Sequence, residues 1–298
     1  MKKMRLHIYV VLGIFLVLFI LGTFLDLSLT TAIFSRDNTF GITISAIGTI
    51  PGYMILAVIG GGYFALALHK QYKTIFKVLL YVASAAFLVL PIYFAGREFF
   101  GPNGFVNEKI VWVGYLICLP IALGCAYLGY FLTKKSDNEN LWIIYIIASL
   151  AIFMALVPGV SLLKAIFHRP RYRTLSLYDD IEFHAWYQRC GNYKELMEAH
   201  NLKSEEFKSF PSGHAGASAV FMIGVSILPF LSKKYDKLVL PLFYAGFAYT
   251  LFVAFTRILV GAHFLSDVAM GGILTSIFMF INNEVLIAVD KKKKITIE

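Results

Sequence analysis

The chain is predicted to be all-α, a polytopic transmembrane helical bundle of about eight spans, on three observations. Of its 298 residues, 58% are hydrophobic and only 15% charged, with a mean hydropathy of +0.71, which is far too apolar for a soluble domain of this length. The apolar residues are gathered into successive runs, each reaching the ~20 residues that a helix needs to cross ~30 Å of hydrocarbon. Lysines and arginines concentrate in alternate connections, as they do where basic loops resist translocation.

The runs fall near 6–25, 45–68, 75–95, 109–133, 141–166, 212–232, 237–259 and 263–283. The first follows Met1, Lys2, Lys3, Met4 and Arg5, the basic start of a secretory signal. Its length, its lack of a small-residue cleavage pattern and the spans that follow make it a retained helix. With the N-terminus cytoplasmic, connections 69–77, 134–140 and 232–237 and the tail with Lys291 and Lys294 are inner and Lys-rich, so the C-terminus is cytoplasmic too. Outer connection 27–45 carries only Arg36, and 96–109 only Arg97 and Lys109.

The third outer loop, 168–210, breaks the rule with Arg169, Arg171, Arg173, Arg189, Lys194, Lys203 and Lys208. An anionic ligand would account for them. A loop this long is expected to hold structure of its own, in 178–188 and in 194–207, either as interfacial helices or as short helices in a solvated loop.

The net charge of +9 reads mainly as a topology signal, with cytoplasmic lysines able to meet anionic headgroups of membrane lipids. Nucleic acid is not an expected partner, because no basic face with interleaved stacking aromatics stands outside the spans. Cys118 and Cys125 lie in one apolar run and Cys190 alone in the long loop, so no disulfide framework or CxxC motif is present. Small residues at 60–62, 213–219 and 271–272 suit close helix approach.

Three polar groups interrupt the apolar pattern. The fifth run ends in Lys164, His168, Arg169, Pro170, Arg171, where Pro170 should end the helix. Alone, this is an ordinary basic flank whose side chains snorkel to headgroups. Pro211, Ser212, Gly213 and His214 open the sixth run, and a helix start offers free N–H groups to an anion. The plain alternative is a capping Ser212 beside an interfacial His214. Thr256, Arg257, Gly261, His263 and Asp267 straddle the last two runs. His263 and Asp267, four apart, share a helix face, so Asp267 can fix the tautomer of His263 and leave the other nitrogen free to attack phosphorus. A metal site of His214, His263 and Asp267 is a further alternative, opposed by the converging cations Lys164, Arg171 and Arg257. The eight-span topology brings all three groups to one leaflet.

On these residues the chain resembles the type 2 phosphatidic acid phosphatase superfamily, relatives of the vanadium haloperoxidases. The resemblance rests on Lys164, six residues, Arg171, on Pro211 to His214, and on Arg257, five residues, His263, three residues, Asp267. Tyr172 stands where the family has Pro, and Thr256 where it has Ser. An alternative register through Arg169 and Pro170 gives a spacing of only four, so Arg171 is preferred.

The resemblance implies a membrane lipid phosphatase. It implies that His263, His214 and Asp267 are catalytic, with His263 forming a phosphohistidine and His214 moving protons. Lys164, Arg171, Ser212, Gly213 and Arg257 would bind phosphate, with no metal and no cofactor. The expected substrate is a lipid phosphate such as phosphatidic acid, phosphatidylglycerol phosphate or a polyprenyl diphosphate. The site would sit on the extracytoplasmic side of a cell membrane. Without an internal repeat or a linker, 1–298 reads as one membrane domain, with a catalytic helical core at 141–290, including outer loop 168–210, and additional N-terminal spans at 1–140. Lipid phosphotransfer would use the same residues. A transporter is the reading from another class, disfavoured by the lack of an inverted repeat.

Overall fold

The computed structural model describes residues 4–101 and 108–295. Residues 102–107, in the connection 96–109, and the side chains of Lys291 and Lys294 lie outside this description. Among the described residues there is no strand, and eight helical segments are long and apolar enough to cross a bilayer. They run Met4–Ile33, Thr39–His69, Thr74–Phe100, Val111–Lys134, Leu141–Leu175, Gly213–Leu231, Lys233–Leu259 and Leu265–Asp290.

The helices, in order, are α1 (Met4–Ile33), α2 (Thr39–Ile47), α3 (Ile50–His69), α4 (Thr74–Phe100), α5 (Val111–Lys134), α6 (Leu141–Met154), α7 (Leu162–Phe167), α8 (Tyr172–Leu175), α9 (Tyr193–Ala199), α10 (Gly213–Val225), α11 (Leu228–Leu231), α12 (Asp236–Leu259) and α13 (Leu265–Ile295). The central helix is α10, whose small residues let α3, α12 and α13 pack on it. Burial is greatest there, whereas Phe24, Val82 and Tyr127 point outward, as side chains facing hydrocarbon should.

The connection between the first two spans is shorter than the apolar runs suggest. Asn38 restarts the helix by accepting a 2.8 Å hydrogen bond from Gly41 N at the head of α2. In the fifth span a π-helical turn at Ala155–Ser161 contains Pro158, so a widened turn accommodates a residue that cannot donate to the helix ladder. Loop 168–210 folds over the C-terminal half of α1. It contains α8, α9 and a 3₁₀ turn at Ser204–Phe207, around a small core of Ile181, Cys190 and Phe207. Residues 178–188 are turns rather than a helix, held by ring contacts and by Trp186 Nε1 donating to Thr23 Oγ1 at 3.0 Å.

The N-terminal spans are joined to α10 by contact between backbones. A Cβ on Gly52 in α3 would stand 1.7 Å from the Ala217 carbonyl oxygen in α10, a separation that only glycine permits. Gly52→Ala is therefore expected to push α3 off α10 and to destabilise the fold by about 1–3 kcal/mol, the usual range for overpacking. Thermal unfolding in detergent measures this, and an unchanged midpoint would show that the crossing yields without cost.

Candidate active site

Three local devices bring the motif residues to one end of the bundle. The helix α7 stops because His168 adopts a left-handed conformation (φ 47°) and its N–H caps the Lys164 carbonyl, after which Pro170 prevents resumption. Helix α10 begins at Gly213 with Ser212 Oγ accepting from Ala215 N at 3.3 Å. Between α12 and α13 the chain reverses at Gly261, whose φ of +63° and contact with Phe34 and Arg173 leave no place for a side chain. There Ala262 N and His263 N both donate to the Arg257 carbonyl, at 3.0 and 3.2 Å.

These segments enclose a pocket of about 180 Å³. Lys164, Arg171, Gly213, His214 and His263 line it on one side, and Thr49, Tyr53, Arg97 and Glu98 on the other, with Glu205 from the long loop. Lys164 is anchored by Nζ donating to the Lys208 carbonyl at 2.6 Å. Arg171 is anchored by Nε donating to the Glu205 carbonyl at 2.7 Å.

The contact of His263 differs from the expected one. Its Nδ1 lies 2.6 Å from the Ser209 carbonyl, while Asp267 Oδ2 is 3.8 Å away. A carbonyl only accepts, so Nδ1 carries the proton and Nε2 is the unprotonated nitrogen. The Asp267 carboxylate is instead occupied by Arg169 Nη1 at 2.6 Å, Ser209 Oγ at 2.5 Å and Phe264 N at 2.7 Å. Asp267 thus acts on the imidazole chiefly through Ser209, whose hydroxyl it holds and whose carbonyl receives Nδ1–H. Ser209 is itself fixed by its N–H donating to the Arg169 carbonyl at 3.0 Å. Among the described residues no three His, Cys, Asp or Glu side chains are grouped so as to hold a metal ion, so the metal triad considered from the sequence is not assembled.

Burial pushes the His263 imidazole well below its ordinary value. Asp267 opposes this, and the charges of Arg171, Lys164 and Arg257 add to it. His263 is therefore neutral at neutral pH. The unfolded chain protonates this residue near pH 6.5 and the folded one resists, so its contribution to stability is lost as pH falls below about 6.5. The thermal midpoint should drop between pH 7 and pH 5, and drop less in His263→Gln; equal slopes would contradict the assignment.

Of the two arginines the sequence offered, Arg171 lines the pocket and Arg169 does not. Arg169, fully buried, bridges Asp267 and Asp26, its Nη2 donating to Asp26 Oδ2 at 2.8 Å and its Nε to the His184 carbonyl at 2.7 Å. Its guanidinium lies 4.2 Å from the Phe264 ring centroid. Ser266 closes the network by donating to Asp26 through both N–H and hydroxyl. Arg257 is wholly buried in the last turn of α12 and Ser212 is buried as the N-cap of α10, and neither is among the residues that line the pocket.

Sequence reasoning passed over Asp26, Ser209, Glu98 and the other residues from the N-terminal spans. Asp26 had a signal, since a carboxylate in an apolar run demands a buried partner. Ser209 had none, because it works through its backbone carbonyl.

A family model described as the PAP2 superfamily matches residues 141–286, a segment that holds all three motif groups. Comparison with curated proteins and with solved structures gave no match.

Proposed function

The chain belongs to the PAP2 superfamily through residues 141–286, and hence to a family of phosphatases that act on phosphate esters; on that premise we propose that it is an integral-membrane lipid phosphatase working through a phosphohistidine. The observation that carries the lipid reading is a second, apolar cleft of about 480 Å³ that shares Tyr53, Lys164 and Gly213 with the polar pocket. Leu56, Phe87, Leu90, Phe153 and Leu156 line it. A phosphate held at Lys164 would leave a hydrocarbon chain free to lie along this cleft, an arrangement that suits phosphatidic acid, phosphatidylglycerol phosphate or a polyprenyl diphosphate.

In this reading Lys164, Arg171 and Arg257 hold the phosphate oxygens with Ser212 and the Gly213 N–H at the head of α10. His263 Nε2 attacks phosphorus, His214 as imidazolium protonates the leaving oxygen, and neutral His214 then activates the water that releases phosphate. No metal or other cofactor enters these steps. Residues 141–290 form the catalytic core, and the site faces the extracytoplasmic side, opposite the Lys-rich connections and the two cytoplasmic termini.

Inorganic phosphate release by detergent-purified protein in the presence of EDTA tests this. Phosphatidic acid should be hydrolysed in strong preference to glycerol phosphate, and Leu156→Trp should raise KM for the lipid alone. Equal use of the two substrates, or a requirement for added metal, would refute the proposal. Transfer of the phosphate to a lipid or sugar alcohol would replace hydrolysis with phosphotransfer.

A further inference from the structure

Four of the ten residues that line the polar pocket come from outside the segment that matches the family. Thr49 and Tyr53 at the start of the α3 span and Arg97 and Glu98 at the end of α4 line it, all before residue 141. The N-terminal spans also grip His214, which is 5% exposed. The imidazole Nε2 stands 3.0 Å from the Ser45 carbonyl and 3.5 Å from Glu98 Oε2.

A carbonyl can only accept, so Nε2 carries a proton in either charge state. Adding the second proton to the ring creates a cation, and among the described residues Glu98 is the carboxylate within ion-pair distance of it. The surroundings otherwise oppose that cation. Arg171 and His263 line the same pocket as His214, and Arg257 adds a further like charge. Arg97 adjoins Glu98 on its own helix, and Lys164 and Glu205 stand across the pocket. A charge formed in a buried site is costly unless it is paired, so an imidazolium here needs a counter-charge. The tight crossing at Gly52 and Ala217 fixes α3 against α10, and α4 packs along α3, so the distance from Glu98 to His214 is set by helix packing rather than by a loop.

Resting on the lipid phosphatase reading, we propose that Glu98 is a positioning residue for the proton-transfer step. With Ser45, it orients His214 and stabilises its charged form, so the N-terminal spans complete the site. As the bond from His263 Nε2 to phosphorus forms, the bond from phosphorus to the leaving oxygen breaks. That oxygen keeps the electron pair and takes a proton from the His214 imidazolium. Water then attacks the phosphohistidine and gives a proton to neutral His214, and the P–N electron pair returns to His263. Glu98 forms no bond and releases no proton.

The experiment compares wild type, Glu98→Gln and Glu98→Asp in the full chain, using phosphatidic acid and p-nitrophenyl phosphate as probes in single-turnover mode. An alkoxide must be protonated as it leaves and a nitrophenolate need not be. Glu98→Gln should therefore slow phosphatidic acid cleavage on the order of 10- to 100-fold, part of what general acid catalysis supplies, and leave nitrophenolate release near the wild-type rate. Its alkaline limb with phosphatidic acid should move to lower pH, and Glu98→Asp, which keeps the charge, should recover part of both effects. Equal losses on the two probes, or an unshifted limb, would overturn the positioning role, as would wild-type behaviour in Glu98→Gln; each leaves the phosphatase reading intact if wild type turns over. Wild type inactive on both probes would overturn the reading and this inference together. Should Glu98→Gln fail to fold, Glu98→Asp carries the comparison through its own ratio of losses on the two probes.

Discussion

His263→Ala is expected to lower phosphate release on the order of 10⁴-fold or more, the scale on which removing a nucleophile or its base acts in comparable covalent mechanisms. The size of the effect follows from the role of the atom lost. Nε2 is the nitrogen left unprotonated by the bond from Nδ1 to Ser209, and no other neutral nitrogen base in the pocket is both buried and fixed at its far side by an acceptor held by Asp267. Substrate affinity should change little, because Lys164 and Arg171 remain. A labelled lipid phosphate should leave acid-labile label on wild-type protein and none on His263→Ala. Near-normal turnover by His263→Ala would sink the nucleophile assignment.

Replacing Arg169 by leucine should be the most destabilising change in the site. Arg169 is fully buried between the carboxylates of Asp26 and Asp267, and both are themselves buried. Removing the cation leaves two anions without their counter-charge, a class of change that costs about 3–5 kcal/mol. Arg171→Ala makes the contrast. It should cost about 100- to 1000-fold in activity, as the loss of one transition-state donor does, and less in stability than Arg169→Leu, because its carboxylate partner Glu205 is partly exposed rather than buried. A double variant, Arg169→Leu with Asp26→Leu, should recover part of the stability, since it removes one of the stranded charges. Thermal unfolding in detergent measures all three. If Arg169→Leu unfolds like wild type, the triad does not hold α1 to α13 and the loop.

The sequence by itself determined the number and approximate limits of the spans, because crossing hydrocarbon requires long uncharged runs whatever the neighbouring helices do. It also determined that Lys164, Arg171, Gly213, His214 and His263 belong to one pocket, since the topology brings the ends of their spans to one surface and the motif spacing is local. Only the tertiary structure decided which groups touch. The i, i+4 spacing of His263 and Asp267 suggested a direct pair, but the folded loop inserts the Ser209 carbonyl, and Arg169 draws the carboxylate away. Spacing along one helix cannot register a chain segment that arrives from 54 residues earlier. The same holds for Asp26, whose partner is 143 residues away, and for Glu98, brought to His214 by helix packing. Hydrophobic periodicity records which residues avoid water, whereas the pairing of buried charges depends on distances that exist only once the helices have packed.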